Sequence, residues 1–364
     1  MADISVSTLV ATLAFVLGIL FGATVNRTGF CAMGSISDIV FLGDWSRFRA
    51  WMLAGAVAIL GTQALHLSGL IDTGKSIYLT PNLGWLGAII GGLMFGFGMT
   101  LAGGCGSKTL VRLGSGNLKS LIVFLVLGFC SYMTLRGLLA LPRLQIETAN
   151  VNLSDLGIGG QGIPDLVAAV TGLDKESLRP WLAGIVGLGI LAWCFKDSAF
   201  RASTRNVLAG IVLGAIIVAG WAATGIAGAD DFEPTALASF TFVAPIGNSM
   251  QYLMTYTGST INFGVASVGG VITGSFLTAV LTRSFALEGF ADKNDLLRHL
   301  TGAALMGIGG VLALGCTIGQ GVTGLSTLAL SSFIALASII CGGVLGMRYL
   351  AAGSLKAIFS QSHS

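Results

Sequence analysis

The chain has 364 residues, of which 54% are hydrophobic and only 10% are charged, and its formal net charge is +3. A water-soluble domain carries about 25% charged residues, so this composition excludes a soluble fold and indicates a protein embedded in a lipid bilayer. The 54 glycines occur with only 6 prolines, which excludes collagen and is typical of closely packed membrane helices. The basic residues are spread along the chain, which argues against nucleic-acid binding.

Nine segments are long and apolar enough to cross a membrane as helices, which takes about 20 residues each. In chain order they are 6–25, 49–71, 83–102, 118–141, 181–196, 205–226, 260–282, 299–316 and 327–350. In the longest polar connection, 142–180, Pro164 is expected to begin a short helix. We therefore predict an all-α polytopic membrane protein that forms a single transmembrane domain over 1–364.

The basic residues predict how these spans are oriented. With the N-terminus outside, the inner loops and the C-terminus hold fourteen Lys and Arg residues, and the outer loops hold four. The positive-inside rule then predicts an outer N-terminus and an inner C-terminus. Asp230, Asp231 and Glu233 fall on the predicted outer side, where acidic groups discourage an anion, and their role stays open between proton coupling and holding the loop.

Parts of the sequence repeat one another. GFGMTLAGGC at 96–105 and GIGGVLALGC at 307–316 share Gly, Gly, Leu, Ala, Gly and Cys at identical spacing, and 16–31 matches 212–227 with Ala227 in place of Cys31. The third predicted span runs inward and the eighth outward. We therefore predict inverted repeats, 1–141 and 181–351, joined by the extracytoplasmic connection 142–180, with a substrate site near the midplane at their interface.

Polar, Gly-rich stretches follow several spans, such as GSKT at 106–109 and TIGQG at 317–321. Non-helical backbone persists at membrane depth only where it is buried in protein or lines a cavity. We therefore predict re-entrant loops after spans one, three, six and eight. Short helices in such loops would point their amide dipoles at an anion.

The six cysteines fall into two classes by context. Three lie in mid-span among apolar neighbours and are expected to pack as small hydrophobes; these are Cys130, Cys194 and Cys341. The other three each end an apolar, Gly-rich segment where a span meets a loop, and they are candidate substrate-binding residues; these are Cys31, Cys105 and Cys316.

Other chemistry for these cysteines has weaker support. No C-x-x-C occurs, which argues against a thiol–disulfide oxidoreductase, and none of the three histidines is near a cysteine in sequence, which weakens a zinc site. A three-thiolate site for a soft metal stays open. Ser107-Lys108-Thr109 resembles the end of a Walker A motif, but Ser107 stands where Gly is required. We predict no metal, no cofactor and no catalytic residue.

The charges nearest two of the candidate cysteines are positive. Arg27 precedes Cys31 by four residues, and an ionisable residue inside a membrane is a functional candidate by default. Lys108 follows Cys105, where a loop anchor explains it equally well. Neutral thiols are weak hydrogen-bond donors that suit a large, soft, sulfur-bearing anion. The pattern predicts an anion path lined by thiols, with Arg27, Lys108 and Gln320 as further substrate-binding candidates.

Three motifs resemble the YeeE/YedE family of sulfur-transport membrane proteins: NRTGFC at 26–31, LAGGC at 101–105 and GCTIGQGVTGLS at 315–326. The resemblance covers 6–350. It implies thiosulfate uptake across the inner membrane of a bacterium, with Cys31, Cys105 and Cys316 relaying the ion. It also implies a separate cytosolic sulfur carrier of the TusA type as a partner.

Two other functions stay open at this point. One is transport of a different sulfur or selenium species, such as sulfite, sulfide or selenite. The other is a membrane sulfurtransferase in which one cysteine carries a persulfide, although these cysteines have no nearby His base to activate them. We expect a transporter rather than an enzyme.

Overall fold

The computed structural model describes residues 5–230 and 235–353, which fold almost entirely into helices. The α-helices of this part are α1 (Val6–Thr28), α2 (Ala32–Leu42), α3 (Ser46–Leu67), α4 (Trp85–Leu101), α5 (Gly106–Gly114), α6 (Leu118–Arg136), α7 (Ala140–Glu147), α8 (Ile163–Thr171), α9 (Lys175–Phe195), α10 (Ser198–Ala202), α11 (Thr204–Gly225), α12 (Val243–Met254), α13 (Phe263–Leu281), α14 (Lys293–Leu312) and α15 (Leu330–Ala352). A π-helical turn, Gly319–Gly324, precedes α15. Two short strands, β1 (Asn82–Leu83) and β2 (Val151–Asn152), pair antiparallel.

Each of the nine predicted spans is a helix. Eight helical segments of the described residues are long and apolar enough to cross a membrane. The predicted span 299–316 corresponds to α14, which has 20 residues. It is less apolar because Lys293, Asp295 and Arg298 lie in its first two turns. The prediction of an all-α polytopic membrane protein is confirmed.

The helix ends differ from the predicted ends for local reasons. Helix α9 begins at Lys175 rather than at 181, because the Asp174 side chain caps it by accepting a hydrogen bond from the Ser177 N–H at 3.0 Å. Helix α6 ends at Arg136 rather than at 141. Helix α8 begins beside Pro164, so the prediction of a short helix there is confirmed.

Glycines allow the helix backbones to touch. On α1, Gly18 and Gly22 face α13, whose Gly270 and Gly274 face back, so each helix presents two glycines four residues apart. A Cβ atom on Gly22 would overlap the carbonyl oxygen of Val271. Inside lipid the hydrophobic effect does not drive helices together, and small residues permit the close van der Waals packing that does.

Helix α4 lies between α14 and α15. Its contact with α14 is also backbone to backbone, since a Cβ atom on Gly98 would lie 2.7 Å from the carbonyl oxygen of Gly302. Helix α4 leads to Cys105 and α14 leads to Cys316. This packing therefore brings two of the candidate cysteines to the same region of the protein.

The same order of elements occurs twice. Helices α1 to α6 form one set, and α11 to α14, the π-helical turn and α15 form the other. Helices at the same position in the two sets make equivalent contacts with the other set. The first helix of each set packs on the third of the other, as α1 on α13 and α11 on α3. The fourth packs on the sixth of the other, as α4 on α15 and α14 on α6. Helix α9, which the predicted second repeat includes, has no counterpart in the first set. The repeats 1–141 and 181–351, their inversion across the membrane and the outer placement of 142–180 stay predictions.

We predict that Gly96→Ala destabilises the protein, because the new Cβ atom would overlap the carbonyl oxygen of Ile339 at the contact of α4 with α15. The expected loss is about 1–3 kcal/mol, read as a lower melting temperature in detergent by fluorescence-detected gel filtration. Gly189→Ala in α9 is the matched control, since it meets open space. Equal melting temperatures for the two variants would contradict the packing described.

Candidate functional site

The three helix breaks before the candidate cysteines share one backbone conformation. The residue two positions before each cysteine is left-handed: Gly29 has φ = 70°, Gly103 has φ = 71° and Leu314 has φ = 56°. This conformation costs about 1–2 kcal/mol when a Cβ atom is present. Glycine therefore suits the first two breaks, whereas Leu314 holds the third break under strain.

A helical segment follows each cysteine, and two of the three sulfurs cap it. The Cys31 sulfur accepts a hydrogen bond from the Gly34 N–H at 3.5 Å, and the Cys316 sulfur accepts one from the Gly319 N–H at 3.4 Å. Cys105 stands at the same position before α5 without capping it, and its sulfur lies 3.2 Å from the Ser107 hydroxyl. The sulfurs therefore lie at the N-terminal ends of α2, α5 and the π-helical turn, where backbone N–H groups favour an anion.

Two of the helix breaks are stabilised by hydrogen bonds from arginine side chains. Arg47 donates a hydrogen bond to the Gly29 carbonyl oxygen at 3.0 Å, and Arg112 donates one to the Gly103 carbonyl oxygen at 2.8 Å. A carbonyl that loses its helical partner away from water needs another donor. Both arginines thus stabilise the turns that present Cys31 and Cys105.

Gln320 stabilises the third helix break with two hydrogen bonds. Its amide nitrogen donates to the Ala313 carbonyl oxygen at 2.5 Å, and its amide oxygen accepts from the Ser332 hydroxyl at 2.6 Å. The side chain is fully buried. These contacts give Gln320 a role in holding the loop after Cys316, and direct contact with a substrate stays a prediction.

The structure brings the three candidate cysteines together. Cys31, Cys105 and Cys316 are 9%, 1% and 0% exposed. The thiols of Cys31 and Cys105 are close enough to influence one another, and Cys105 is also an electrostatic neighbour of Cys316. The three thiols therefore form a row with Cys105 in the middle, which we call the thiol row.

The other cysteines have separate surroundings. Cys130 is buried on α6, Cys194 donates to the Arg49 carbonyl oxygen at 3.4 Å, and Cys341 is exposed on α15. Within 5–230 and 235–353, no group of three or more His, Cys, Asp or Glu side chains is placed to hold a metal ion. The soft-metal site that the sequence left open is therefore not formed by the described residues.

Two hydroxyls lie beside the middle thiol. The Ser107 hydroxyl is 3.2 Å from the Cys105 sulfur. The Thr317 hydroxyl also faces Cys105 but is not placed for a regular hydrogen bond, and it has no other partner among the described residues although Thr317 is only 1% exposed. A buried hydroxyl without a partner is destabilising, so Thr317 offers an unused donor at the centre of the row.

The Cys316 end of the row is aromatic and neutral. Tyr78, from the segment between α3 and α4, is buried near Cys316, and its hydroxyl contacts Thr241. Its ring packs edge-to-face on Trp221 at a centroid distance of 6.5 Å. Burial raises the pKa of the Tyr78 phenol, so the hydroxyl stays protonated and does not repel an anion.

The Cys31 end of the row is cationic. The Lys108 ammonium interacts electrostatically with both Cys31 and Cys105, and the guanidinium groups of Arg47 and Arg112 are close enough to influence it. Arg47 also pairs with Asp38 at 3.0 Å. Lys108, which the sequence marked as a candidate, is therefore brought to the thiols.

Arg27 is not brought to the thiols. It is exposed in the last turn of α1, and its role stays a prediction. Arg47, Arg112 and Tyr78 were not among the site residues predicted from the sequence. No short motif marks these contacts, because each joins residues that are far apart in the chain or meet only after the breaks form.

These features define a polytopic membrane protein in which helix breaks assemble a buried row of three thiols between an aromatic end and a cationic end. The chain matches the sulphur transport family over residues 27–345 and belongs to that family. The resemblance to YeeE/YedE proteins is thereby confirmed.

Individual relatives cover most of the chain. It is 27% identical over 320 residues to the thiosulfate transporter TsuA of Escherichia coli K12, covering 84% of this chain and 85% of that protein. It is 26% identical over 313 residues to the thiosulfate transporter TsuA of Spirochaeta thermophila, covering 84% and 89%. A shorter match, 31% identical over 102 residues, is to the probable transporter YedE of Salmonella typhimurium, covering 28% and 23%.

We predict that the left-handed positions respond unequally to substitution. Gly103→Ala places a Cβ atom at φ = 71° and should cost about 1–2 kcal/mol. Leu314→Gly should change stability much less, because relief of the strained Cβ offsets the extra flexibility that glycine gives the unfolded chain. Melting temperatures of the two purified variants measure this. A larger loss for Leu314→Gly than for Gly103→Ala would contradict the strain assigned to Leu314.

Proposed function

We propose that this protein imports thiosulfate across the inner membrane of a bacterium by passing it along the thiol row. The observation that carries the proposal is the row itself: three buried thiols side by side, each at the N-terminal end of a helical segment. Two relatives that cover most of the chain are named thiosulfate transporters, which supports this choice of substrate.

The chemistry of thiosulfate suits the row. Its terminal sulfur is a large, polarisable acceptor that matches the weak S–H donors of neutral thiols, whereas thiolates would repel the dianion. Several weak sites in sequence allow an ion to enter and also to leave. The unused Thr317 hydroxyl beside Cys105 gives the ion a further donor at the middle position.

The two ends of the row suggest a direction of travel. Thiosulfate would enter at Cys316, where the Tyr78 hydroxyl is near, pass Cys105, and reach Cys31 beside Lys108. Arg27 would attract the anion from its exposed position, and Gln320 would hold the loop or exchange its bonds for a contact with the ion. With this order, the cationic end faces the cytoplasm.

This orientation follows the basic residues of the loops, which predict a periplasmic N-terminus and a cytoplasmic C-terminus. Lys356 contributes to that count and lies outside the described residues, as do Asp231 and Glu233 of the predicted outer side. A cytosolic sulfur carrier of the TusA type would collect the anion on the inner side.

A different sulfur or selenium species would meet the same donors. Unlabelled sulfite, sulfide and selenite are therefore to be tested as competitors of labelled thiosulfate uptake. Competition at lower concentration than unlabelled thiosulfate would reassign the substrate. A sulfurtransferase would instead leave a covalent sulfur adduct on one of the three thiols, which mass spectrometry of the purified protein detects.

We predict that Cys316→Ala abolishes uptake of labelled thiosulfate in cells that lack other sulfate and thiosulfate importers, because it removes one end of the row. Cys341→Ala is the matched control and should change uptake little, since Cys341 is exposed on α15 and not part of the row. Equal losses in the two variants would mean that the cysteines matter only for packing. No uptake by well-expressed, membrane-inserted wild type would exclude thiosulfate as the substrate.

We predict that Thr317→Val raises the KM for uptake by about tenfold, the effect of losing one hydrogen bond to a charged ligand. Its melting temperature should stay the same or rise, because the variant also removes a buried hydroxyl that has no partner. Thr62→Val, which removes another such hydroxyl on α3, is the control and should leave the KM unchanged. An unchanged KM in Thr317→Val would contradict contact between Thr317 and the anion.

A further inference from the structure

A cavity of 450 Å³ opens beside the break that precedes Cys105. It lies among the end of α5, the start of α6, the start of α14 and the segment between α13 and α14. Gly103, Arg112, Asn117, Lys119 and His299 are among the residues that line it. The cavity therefore joins the helix break at Gly103 to a group of polar side chains that have no role in the proposed anion path along the thiol row.

Arg112 gives this cavity a positive charge. Its guanidinium donates to the Gly103 carbonyl oxygen at 2.8 Å, and it forms no ion pair with a carboxylate of the described residues. The Lys108 ammonium is close enough to feel the charge of Arg112. An oxyanion leaving the cationic end of the row would thus find a second cation that is not ion-paired with a carboxylate, although Glu288 and Asp295 line the same cavity.

His299 is the second feature that points to a ligand. It is 6% exposed, and its Nδ1 lies 2.7 Å from the Asp295 carbonyl oxygen. A carbonyl oxygen only accepts hydrogen bonds, so Nδ1 carries a proton. The ring packs edge-to-face on Phe290. Its Nε2 has no hydrogen-bond partner in the described part of the chain and lies near Gly103, 3.9 Å from where a Cβ atom would be.

The tautomer has a consequence for binding. With its proton on Nδ1, a neutral His299 presents a lone pair at Nε2, which does not donate to an anion. Only the imidazolium form donates from Nε2, and that form also interacts favourably with the Asp295 carboxylate, whose Oδ1 is 3.1 Å from Nδ1. An anion in the cavity and a proton on His299 therefore stabilise one another.

The other charged groups around His299 leave this coupling in place. Asp295 is also paired with Lys119 at 2.7 Å and with Arg298 at 3.1 Å, and Glu288 accepts a hydrogen bond from Asn117 at 2.6 Å. Asp295 is therefore neutralised by two cations, whereas Glu288 keeps its negative charge because its partner is a neutral amide. The three cations of the lining, Arg112, Lys119 and Arg298, still outnumber the two carboxylates. The charged groups that face His299 from the surrounding elements are Arg112, Lys119, Glu288, Asp295 and Arg298.

We propose that this cavity is a second oxyanion site, in which the anion binds together with a proton on His299 and is held by Arg112. The inference rests on the proposed function only in taking this anion to be the one that leaves the thiol row. The ligand class is a small sulfur or selenium oxyanion. A lipid phosphate headgroup shares this chemistry, and the experiment separates the two sources.

The test measures binding of ³⁵S-thiosulfate, and separately of labelled sulfite and selenite, to the full-length protein in phosphatidylcholine nanodiscs at pH 6 and pH 8. Because the bound anion and a proton on His299 stabilise one another, wild type should bind about tenfold more tightly at pH 6 than at pH 8. His299→Gln supplies a neutral amide donor at the place of Nε2, so its affinity should not change with pH. His66→Gln is the matched control, because His66 also contacts a carboxylate, that of Glu176 at 3.6 Å, and it should keep the pH dependence.

Arg112→Gln keeps the proposal testable if His299→Gln fails to fold. It should weaken binding at both pH values while the ratio between them stays the same. Equal pH dependence in wild type and His299→Gln, or no pH-dependent binding of any of the three anions, would overturn the site. Loss of binding when anionic phosphatidylglycerol is added to the nanodiscs would assign the cavity to a lipid headgroup and also overturn it.

The outcomes distinguish this site from the proposed function. If wild type imports no thiosulfate but binds sulfite or selenite with the His299-dependent pH profile, the substrate is wrong and the site stands. If thiosulfate uptake is intact but His299→Gln keeps the pH profile of wild type, the proposed function stands and the second site is wrong.

Discussion

A helix that ends in the interior of a membrane protein frees backbone groups that water does not reach, and those groups must find partners in the protein. This constraint shapes the thiol row. Arg47, Arg112 and Gln320 each satisfy a carbonyl freed at one of the three breaks. On the other side of two of the breaks, the sulfurs of Cys31 and Cys316 accept a hydrogen bond from the N–H three residues further on. The hydrogen bonds that stabilise the helix breaks therefore also position the thiols.

Close helix packing then places the breaks side by side. Glycines at the contacts of α4 with α14 and α15 let these backbones meet without intervening side chains. The reciprocal contacts of the two sets of helices repeat this arrangement, although the second set has Ala227 where the first has Cys31. The second set contributes Cys316 to the row, and the backbone of Phe242, which precedes α12, lies near the Cys316 sulfur. The two sets of helices therefore pack in a similar way but contribute different side chains to the site.

Much of this architecture could be predicted from the sequence, because the length and apolarity of a span are local properties. The separation of the cysteines into two classes was also local, since Cys31, Cys105 and Cys316 each follow a Gly-rich stretch. Contacts between distant residues were not predictable in this way. The bond from Arg47 to Gly29 and the approach of Tyr78 to Cys316 depend on how helices pack, and Arg27 was selected by its place in the sequence although it is exposed.

Guanidinium groups donate the stabilising hydrogen bonds at the first two helix breaks, and a neutral amide donates the one at the third. The electrostatic potential along the thiol row is therefore uneven, with a deeper well for anions near Arg47, Lys108 and Arg112 than near Tyr78. An uneven series of wells does not change the equilibrium distribution of an ion across a membrane. If the anion passes along the row as proposed, the two end sites would fill at different anion concentrations, so inward and outward fluxes measured under matched gradients need not be equal.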